Sequence, residues 1–377
     1  MRALHVIPGL DETDGGPFHT LPKLWKFLAA EGVDVRAYTT HWGPTSELGG
    51  EVPVIRVMRT LPGICYNPRL GRLLRREAEQ AALVHDHGCW LYPNWAAGRA
   101  ARARSKPLVI SPLGHLDPWS LKQHPRRKQW VRKWFEEENW RYCRAWIAKS
   151  THEANALRSL QFPGEIHVVP NGIDSTEWAS LNSAEIFLRE HEELRGRRIC
   201  LFLSRLHPKK GAHHLLHAWS RLHNRHRDWV LVIAGAVNSS YARELRSRAA
   251  ADSFHEDTVY FVGELDPALK RAAFVASSLF VLPSESENFG QAILESLAAG
   301  VPVVTTQACP WKGIEEHDCG WWIRTGEGAL QLGLDRALRE PADALKQRGA
   351  RARAWVAKEF DWKIVARQLK DVYSCMA

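Results

Sequence analysis

The chain of 377 residues lacks several features that would place it in other classes of protein. It has no run of eighteen apolar residues, so we expect no transmembrane helix. Its seven cysteines are scattered without a Cys-x-x-Cys pair, which favours buried thiols in a reducing compartment. The first residues begin a strand pattern instead of a signal peptide. Together these absences predict a cytoplasmic protein.

Positive charge is concentrated in the first half of the chain. The net charge is +9, and residues 1–170 hold 24 Lys and Arg against 16 Asp and Glu. A basic half predicts an anionic partner, such as a membrane surface, a lipid diphosphate or a nucleic acid. No nucleic-acid-binding motif of the usual kinds occurs, so we do not expect a nucleic acid partner.

Short apolar runs alternate with helical segments in two successive blocks. Strands are predicted at Ala3–Ile7, Val33–Tyr38, Val54–Val57, Leu83–Asp86, Leu108–Ser111, Ala145–Ala148 and His167–Val169, and again at Arg198–Ser204, Val230–Ala234, Val259–Val262, Leu279–Leu282 and Val303–Thr305. Helices of the first block fit Thr20–Glu31, Arg69–Ala81, Arg127–Cys143 and Thr151–Ser159. The pattern predicts an α/β protein with two doubly wound parallel sheets. Turn signals at Asn171-Gly172 indicate a boundary between Pro170 and Arg195.

Two glutamates flank the start of a predicted helix in the second block. Glu287 follows an apolar strand, and Glu295 lies eight positions later, so the two carboxylates can stand about 10–12 Å apart. That distance is close to the span of a nucleotide sugar. Between them, the backbone amides of Asn288, Phe289 and Gly290 would face a diphosphate from a helix N-terminus.

Cations follow the first strand of the same block. Arg205 comes directly after this strand, and Lys209 and Lys210 precede Gly211 at a helix start. Ligands of open α/β sheets bind at the carboxyl ends of the strands, so these cations fit a diphosphate. There they would stabilise the charge that develops as a glycosyl–phosphate bond breaks. Lys210 is the stronger candidate of the two lysines.

Several of these segments together resemble the retaining nucleotide-sugar glycosyltransferases of family 4. The segments are Gly15-Gly-Pro17, Val169-Pro-Asn-Gly-Ile-Asp174, Leu203-Ser-Arg-Leu206 with Lys209-Lys-Gly211, Pro283-Ser284, Glu287-Asn-Phe-Gly290, Glu295-Ser-Leu-Ala-Ala-Gly300 and Val301-Pro-Val-Val304. Four further segments resemble the bacterial polysaccharide and O-antigen branch of this family: Ser111-Pro-Leu-Gly114, Asp117-Pro-Trp119, Pro310-Trp311 and Cys319-Gly-Trp-Trp322. The resemblance extends over nearly the whole chain.

The resemblance implies a fold and a set of roles. The fold is GT-B, in which two Rossmann-like domains face each other across a crevice. Here they would be residues 1–175, joined by a last helix at about 360–377, and residues 176–359. Glu295 would accept hydrogen bonds from the ribose hydroxyls, and Glu287 would contact the transferred sugar. Gly15 and Gly16 would let the backbone approach the donor phosphate or the acceptor.

Residues of the first half are candidates for the acceptor side. His87 and His115 each follow a predicted strand, and Asp117 matches an acidic position of the subgroup. Relatives often carry a histidine where Leu113 stands here, and His115 lies two positions later. A strand-end histidine is also a common structural residue, so both interpretations of His87 and His115 stay open.

A cluster of histidines follows Lys210, at His213, His214, His217, His223 and His226. A metal site would need a carboxylate or a further ligand to converge there, so a polar helix face is the favoured interpretation. No Asp-x-Asp motif follows a strand. We therefore expect transfer without a metal or another cofactor.

Residues 122–135 combine cations with Trp130, Trp134 and Phe135. Tryptophan surrounded by Lys and Arg is typical of an interfacial helix, so this segment predicts contact with an anionic membrane surface. The alternative is a helix that uses tryptophan for its own core, which Glu136–Glu138 favour.

The sequence thus predicts a retaining glycosyltransferase that moves a hexosyl or N-acetylhexosaminyl group from a UDP- or GDP-linked sugar. The acceptor would be lipid-linked or a growing glycan of cell-surface polysaccharide, such as O-antigen lipopolysaccharide, and the enzyme would be peripheral on the inner face of the membrane. The alternatives are a nucleotide-sugar epimerase, a glycan phosphorylase, or a non-catalytic module that binds nucleotide sugars or membranes. A phosphorylase would need a pyridoxal-phosphate lysine, which we do not identify.

Overall fold

The computed structural model describes residues 1–11, 16–43, 46–48, 52–61, 63–179, 183–251 and 257–376. The chain forms two compact units, one of residues 1–172 with 362–377 and the other of residues 173–361. No helix in these described ranges combines the length and the apolar character needed to cross a membrane.

The first unit alternates strands and helices. Its strands are β1 (Arg2–Gly9), β2 (Asp34–His41), β3 (Ser46–Leu48), β4 (Val54–Met58), β5 (Leu83–His87), β6 (Leu108–Ser111), β7 (Cys143–Ala148) and β8 (Glu165–Val168). Its helices begin with α1 (Gly16–Ala30), α2 (Pro68–Gln80), α3 (Tyr92–Ala103), α4 (Pro118–Leu121), α5 (Pro125–Val131), α6 (Glu137–Tyr142) and α7 (Thr151–Leu160).

The sheet of the first unit has the order β3-β4-β2-β1-β5-β6-β7-β8. All neighbouring pairs are parallel except β3 with β4. Its central strands are buried on both faces, apart from Arg2 at the start of β1. Most of their residues are therefore apolar, and β5 is the exception because it ends in the buried polar residues His85, Asp86 and His87. Separate apolar cores lie on the two faces, one around Trp25 and one around Trp140.

The second unit repeats this architecture. Its helices are α8 (Ser175–Ala179), α9 (Glu185–Glu190), α10 (Ala212–Leu222), α11 (Ser240–Ala251), α12 (Pro267–Ala276), α13 (Gln291–Ala298), α14 (Gly313–Glu316), α15 (Glu327–Arg339) and α16 (Ala342–Glu359). Its strands are β9 (Arg198–Leu203), β10 (Trp229–Ala234), β11 (Val259–Gly263), β12 (Ser277–Leu282), β13 (Val303–Thr306) and β14 (Gly320–Ile323). The sheet order is β11-β10-β9-β12-β13-β14, and every neighbouring pair is parallel.

The last helix, α17 (Trp362–Ser374), belongs to the first unit. Its Trp362 ring stacks on Phe27 of α1 with 6.5 Å between the ring centres, and Lys370 Nζ donates to the carbonyl of Glu31 at 2.7 Å. Tyr373 is fully buried near the end of this helix. The C-terminal segment is therefore part of the first unit's core.

In each sheet the strand order reverses at one place, between β1 and β5 in the first unit and between β9 and β12 in the second. Loops that follow the two strands at such a switch point emerge side by side, and ligands of doubly wound folds bind there. Most of the segments predicted to carry chemistry follow these four strands, whereas His115 and Asp117 follow β6.

Local structure differs from the sequence prediction in several places. The predicted helix Arg127–Cys143 is divided into α5 and α6 by a π-helical turn, Arg132–Glu136, and Cys143 already begins β7. Strands β3 and β14 were not predicted, since both are edge strands of three or four residues. Strand β8 begins at Glu165, two residues before the predicted strand His167–Val169. The helix predicted after Glu287 is α13, which begins at Gln291, so residues 284–290 form a loop.

Candidate active site

The loop after β9 carries the predicted cations to the switch point of the second unit. Pro208–Lys210 form a short 3-10 turn, and Gly211 follows with φ +73°. A Cβ at Gly211 would lie 2.2 Å from the carbonyl oxygen of Pro283, directly after β12. Only glycine permits both this backbone conformation and this close approach. Gly211 therefore holds the lysine loop against the loop that contains Glu287.

Three hydrogen bonds fix the loop at 284–290. Glu285 N–H donates to Lys209 O at 2.9 Å, and Glu287 N–H donates to Ala308 O at 3.2 Å. Thr306, from the neighbouring strand β13, donates to Ser284 O at 2.5 Å. The loop is therefore attached on one side to the lysine loop after β9 and on the other side to the end of β13. These bonds hold in place a segment that has no secondary structure of its own.

Lys210 and Glu287 form an ion pair between these two loops. Their side chains are 17% and 10% exposed, so the pair is shielded from water, and Ser284 Oγ donates to the same carboxylate oxygen at 3.3 Å. An ion pair in such a low-dielectric position is stronger than one at the surface. The structure thus brings together two residues that are 77 positions apart in sequence and that were both predicted to act in catalysis.

Glu295 lies on α13 and is paired with Lys270 of α12. Lys270 Nζ is 2.8 Å from Glu295 Oε1, and the two side chains are 25% and 13% exposed. Nothing in the sequence pattern indicated Lys270, because α12 is separated by the whole of strand β12 from the segment that contains Glu287 and Glu295. This contact makes Lys270 a positioning residue for the carboxylate.

Arg205 is exposed directly after β9. No hydrogen bond or ion pair joins its guanidinium to another residue in the described part of the chain. Its five N–H donors can therefore serve an anion.

Gly290 directly precedes α13 as its N-cap and adopts the left-handed conformation, with φ +85°. The side chain of the preceding Phe289 is buried against Trp311, whose indole N–H donates to Phe289 O at 2.5 Å. Phe289 therefore anchors the loop in the core, and Asn288 lies between this anchor and Glu287.

In the first unit, His87 ends β5 inside a buried group of three histidines. The indole N–H of Trp25 donates to His5 Nδ1 at 3.0 Å, so His5 carries its proton on Nε2, which faces Tyr373 OH at 3.3 Å. His87 Nε2 lies 2.9 Å from the same nitrogen, His5 Nδ1, so Trp25 and His87 are two donors that share its single lone pair. His85 contacts the Tyr373 hydroxyl at 2.5 Å and the Ser111 hydroxyl at 2.8 Å.

This network keeps the three rings neutral. Burial lowers the pKa of His5 to about 3, and burial lowers the pKa values of His85 and His87 well below 6.5. The lone pairs of His5 and His85 are used within the network, so the cluster is organised for hydrogen bonding instead of metal binding. His87 Nδ1 has no hydrogen-bond partner in the described structure and keeps a lone pair. The structure places His87 in the interior of the unit and not on its surface.

His115 and Asp117 lie in the segment after β6. His115 Nδ1 accepts the Cys89 N–H at 3.0 Å, and burial lowers the pKa of His115 to about 4. Asp117 is buried at the start of α4. Leu113, at the position where relatives often carry histidine, adopts φ +54°. His115 thus ties this segment to the loop after β5.

Two buried glutamates in this region were missed by the sequence analysis. Glu153 accepts the N–H groups of Lys149 and Gly114, both at 2.6 Å, and burial raises its pKa to about 7. Glu136 accepts the Trp90 N–H, and burial also raises its pKa to about 7. The pattern Ser150-x-x-Glu153, a helix-start signal, could have indicated the first of these.

The predicted glycine pair is only partly described. Gly15 lies outside the described residues. Gly16 is exposed as the first residue of α1, and a Cβ there would meet no atom within 4 Å. Its backbone is thus open to solvent at the first switch-point loop.

The basic segment 122–135 exposes aromatic side chains. Trp130 and Trp134 are 59% and 63% exposed, and their rings lie 6.3 Å apart. Lys128 and Arg132 instead point back to the unit, over the rings of Trp90 and Trp140. The side chains of Trp130 and Trp134 are therefore exposed and are not packed into the core of the unit.

Comparison with known proteins identifies the class. Residues 15–177 match the description Glycosyltransferase Family 4, and residues 184–355 match Glycosyl transferases group 1. An alpha-maltose-1-phosphate synthase of Mycolicibacterium smegmatis is 30% identical over 314 residues, which cover 78% of this chain and 79% of that protein. A phosphatidyl-myo-inositol mannosyltransferase of Mycobacterium leprae is 32% identical over 213 residues, or 55% and 53% of the two chains.

Solved structures share the fold. Anabaena Alr3699/HepE has been solved with UDP and with UDP-glucose, and these structures align over the whole of both chains with TM-scores of 0.80 and 0.78 at 19% and 18% identity. The predicted GT-B fold with two Rossmann-like domains is thus confirmed. The chain belongs to the glycosyltransferases that combine a family 4 domain with a group 1 domain, and it is a nucleotide-sugar glycosyltransferase.

Proposed function

We propose that this enzyme is a retaining glycosyltransferase that transfers a sugar from a UDP- or GDP-linked donor to a lipid-linked or growing glycan acceptor in cell-surface polysaccharide synthesis. The observation that carries the proposal is the shielded Lys210–Glu287 ion pair, which lies near the start of the helix that bears Glu295. Arg205 precedes Lys210 in the same loop after β9. This arrangement provides cations for a leaving diphosphate and separate carboxylates for hydroxyl groups.

The chemical roles follow from the charges. Lys210 and Arg205 stabilise the negative charge that develops on the diphosphate as the glycosyl bond breaks. Glu287, which is held by Lys210 and Ser284, accepts hydrogen bonds from the transferred sugar. Glu295 accepts hydrogen bonds from the ribose. Because Arg205 and Lys210 supply positive charge for the diphosphate, we expect the reaction itself to proceed without a divalent metal.

A lipid-linked acceptor is supported by the surface of the first unit. A cavity of about 420 Å³ is lined by the cations Arg72, Arg75 and Arg99 and by aromatic residues that include Tyr66 and Tyr92. Guanidinium groups suit the phosphates of a lipid diphosphate. The exposed Trp130 and Trp134 would lie at the membrane interface, where tryptophan is favoured.

The experiment is a screen of nucleotide-sugar donors for release of free nucleoside diphosphate, with and without a lipid extract that contains polyprenyl-linked glycans. We expect one donor to give release that depends on the extract. The Lys210→Ala variant serves as the inactive control. Nuclear magnetic resonance of the product should show the donor's anomeric configuration, and an inverted product would exclude the retaining mechanism.

A second acceptor class is favoured by one comparison. The name of the Mycolicibacterium relative gives a sugar phosphate as the product of that enzyme. Donor turnover that requires a soluble sugar phosphate, and is indifferent to the lipid extract, would support this class instead. Turnover of a donor without any acceptor to an isomeric nucleotide sugar would indicate an epimerase.

A further inference from the structure

Two histidines and a glutamate converge beside the lysine loop of the second unit. One nitrogen each from His213 and His214, at the start of α10, and one carboxylate oxygen of Glu285 all lie within 4.8 Å of one another. His214 Nε2 is 3.3 Å from Glu285 Oε1. The sequence showed the histidines but not the carboxylate, which arrives from the loop after β12, 71 positions later.

One ring nitrogen of each histidine, Nδ1, has a partner outside the group. His213 Nδ1 contacts the Tyr241 hydroxyl at 2.7 Å, and His214 Nδ1 lies 3.3 Å from a carboxylate oxygen of Glu327. When Nδ1–H donates to these oxygens, Nε2 of each ring presents a lone pair. Histidines that bind metals in proteins are oriented by the same kind of outer hydrogen bond.

One separation within the group suits a tetrahedral cation. Zinc binds histidine nitrogen and carboxylate oxygen at about 2.0–2.2 Å, so two ligands at the tetrahedral angle lie about 3.3–3.5 Å apart. The 3.3 Å separation of His214 Nε2 and Glu285 Oε1 meets this requirement. Imidazole ligands favour zinc over magnesium and calcium, which prefer oxygen.

We propose that His213, His214 and Glu285 bind one Zn²⁺ ion, with water in the fourth position and with Tyr241 and Glu327 as the outer partners. This inference does not depend on the acceptor or the mechanism proposed above.

The location of the proposed site indicates a structural role for the ion. Glu285 is already attached to the lysine loop by its N–H bond to Lys209 O, and Glu287 lies two residues further on. An ion held by α10 and by Glu285 would crosslink the two loops that carry Lys210 and Glu287. It would stabilise the donor-binding loops without contacting the reacting atoms.

The rival explanation is an ordinary charge cluster. A protonated His214 could bridge Glu285 and Glu327, and His217 also faces Glu327 at 3.6 Å. Glu244 and Arg248 act on His213 from α11. Such a cluster would have no specific affinity for zinc, so metal binding distinguishes the two explanations.

The test is calorimetric titration of the metal-free full chain with Zn²⁺ in a non-chelating buffer at pH 7.5, together with visible absorption of the Co²⁺ form. We expect one site, with a tetrahedral Co²⁺ spectrum that lacks thiolate charge-transfer bands, because no cysteine is in the group. His214→Ala and Glu285→Gln should each weaken the affinity at least about 100-fold, and Glu327→Gln should weaken it about 10–100-fold, as for other outer partners.

Two control variants match these substitutions. His217→Ala removes a histidine of the same helix outside the group, and His87→Gln alters the buried cluster of the first unit; both should retain the affinity of the original chain. Thermal unfolding of each metal-free variant shows whether it folds. If the His214→Ala variant does not fold, Glu327→Gln still tests the site. The proposal is overturned if no site is found, if Glu285→Gln and Glu327→Gln bind as tightly as the original chain, or if His217→Ala has the same effect as His214→Ala.

Discussion

Lys270 Nζ lies 2.8 Å from Glu295 Oε1, and the side chain of Glu295 is only 13% exposed. Glu287, eight positions earlier, is paired with Lys210 in the same manner. Each of the two carboxylates thus has its own cation, one from α12 and one from the loop after β9. Both carboxylates are therefore held in place by a lysine from another element of the second unit.

The carboxylate of Glu295 should serve nucleotide binding more than the chemical step. We expect Glu295→Gln to weaken nucleoside diphosphate binding about tenfold or more with a smaller change in kcat, because ribose contacts are similar in the ground and transition states. Calorimetry and steady-state kinetics measure the two effects. The exposed surface pair of Lys312 and Glu316 provides the matched control, Glu316→Gln. A fall in kcat with unchanged affinity would contradict the ribose assignment.

Glu287 should behave in the opposite way. Glu287→Gln keeps the shape of the side chain but removes the charge that faces Lys210, so we expect turnover to fall more than nucleoside diphosphate affinity. Because the substitution leaves Lys210 in a shielded position without its counter-ion, thermal unfolding must accompany the kinetics. If affinity falls and turnover does not, the roles of the two glutamates are reversed.

The two predicted cations should each matter to the chemical step. Arg205→Ala and Lys210→Ala are expected to reduce turnover at least about 100-fold, which is the usual effect of removing one group that stabilises developing charge. Arg221→Ala, on the exposed side of α10, is the control. Near-normal turnover in both variants, once their folding is confirmed, would exclude the diphosphate assignment.

The buried histidines predict a measurable pH effect. Burial lowers the pKa of His87 in the folded chain well below 6.5, so below pH 6.5 the unfolded chain binds a proton that the folded chain does not. Stability should therefore fall as the pH falls, by about 1 kcal/mol per pH unit for this group. Glu136 and Glu153, with pKa values raised to about 7, act in the opposite direction.

Comparison with His87→Gln isolates this contribution. The amide of glutamine can donate to His5 Nδ1 as His87 Nε2 does, but it does not titrate. Urea unfolding between pH 7.5 and 5.5 should show that the original chain loses about 2 kcal/mol or less relative to the variant. The two buried glutamates are present in both proteins, so their effect cancels to a first approximation. If the free energy of unfolding changes with pH in the same way in both proteins, His87 is not kept neutral by the fold.

The exposed part of segment 122–135 should bind anionic vesicles in a salt-sensitive manner. Arg126→Gln combined with Lys133→Gln removes cations that make no contact with the core, and it should weaken cosedimentation by about 1 kcal/mol per residue. Trp130→Ser combined with Trp134→Ser should weaken it further by removing the apolar contact. Arg243→Gln with Lys346→Gln, in the second unit, is the control. Absence of binding by the original chain at low salt would exclude membrane attachment.

The sequence by itself determined the two blocks of alternating strands and helices, the loops after β9 and β12, and the identity of Lys210, Glu287 and Glu295. These features are local: apolar runs, turn residues and spacing within a helix can be recognised over short windows. The family resemblance then supplied the fold.

Only the tertiary structure decided which side chains meet. His214 and Glu285 are brought together because the neighbouring parallel strands β9 and β12 end at the same edge of the sheet, and strand order is not encoded in any local pattern. Lys270 and Glu295 meet because the helices before and after β12 lie within contact distance of each other. The burial of His87 likewise depends on α17, which returns to the first unit at the end of the chain. The sequence could place His87 at a strand end, but it could not show that Tyr373 and Trp25 complete a neutral hydrogen-bond network around it.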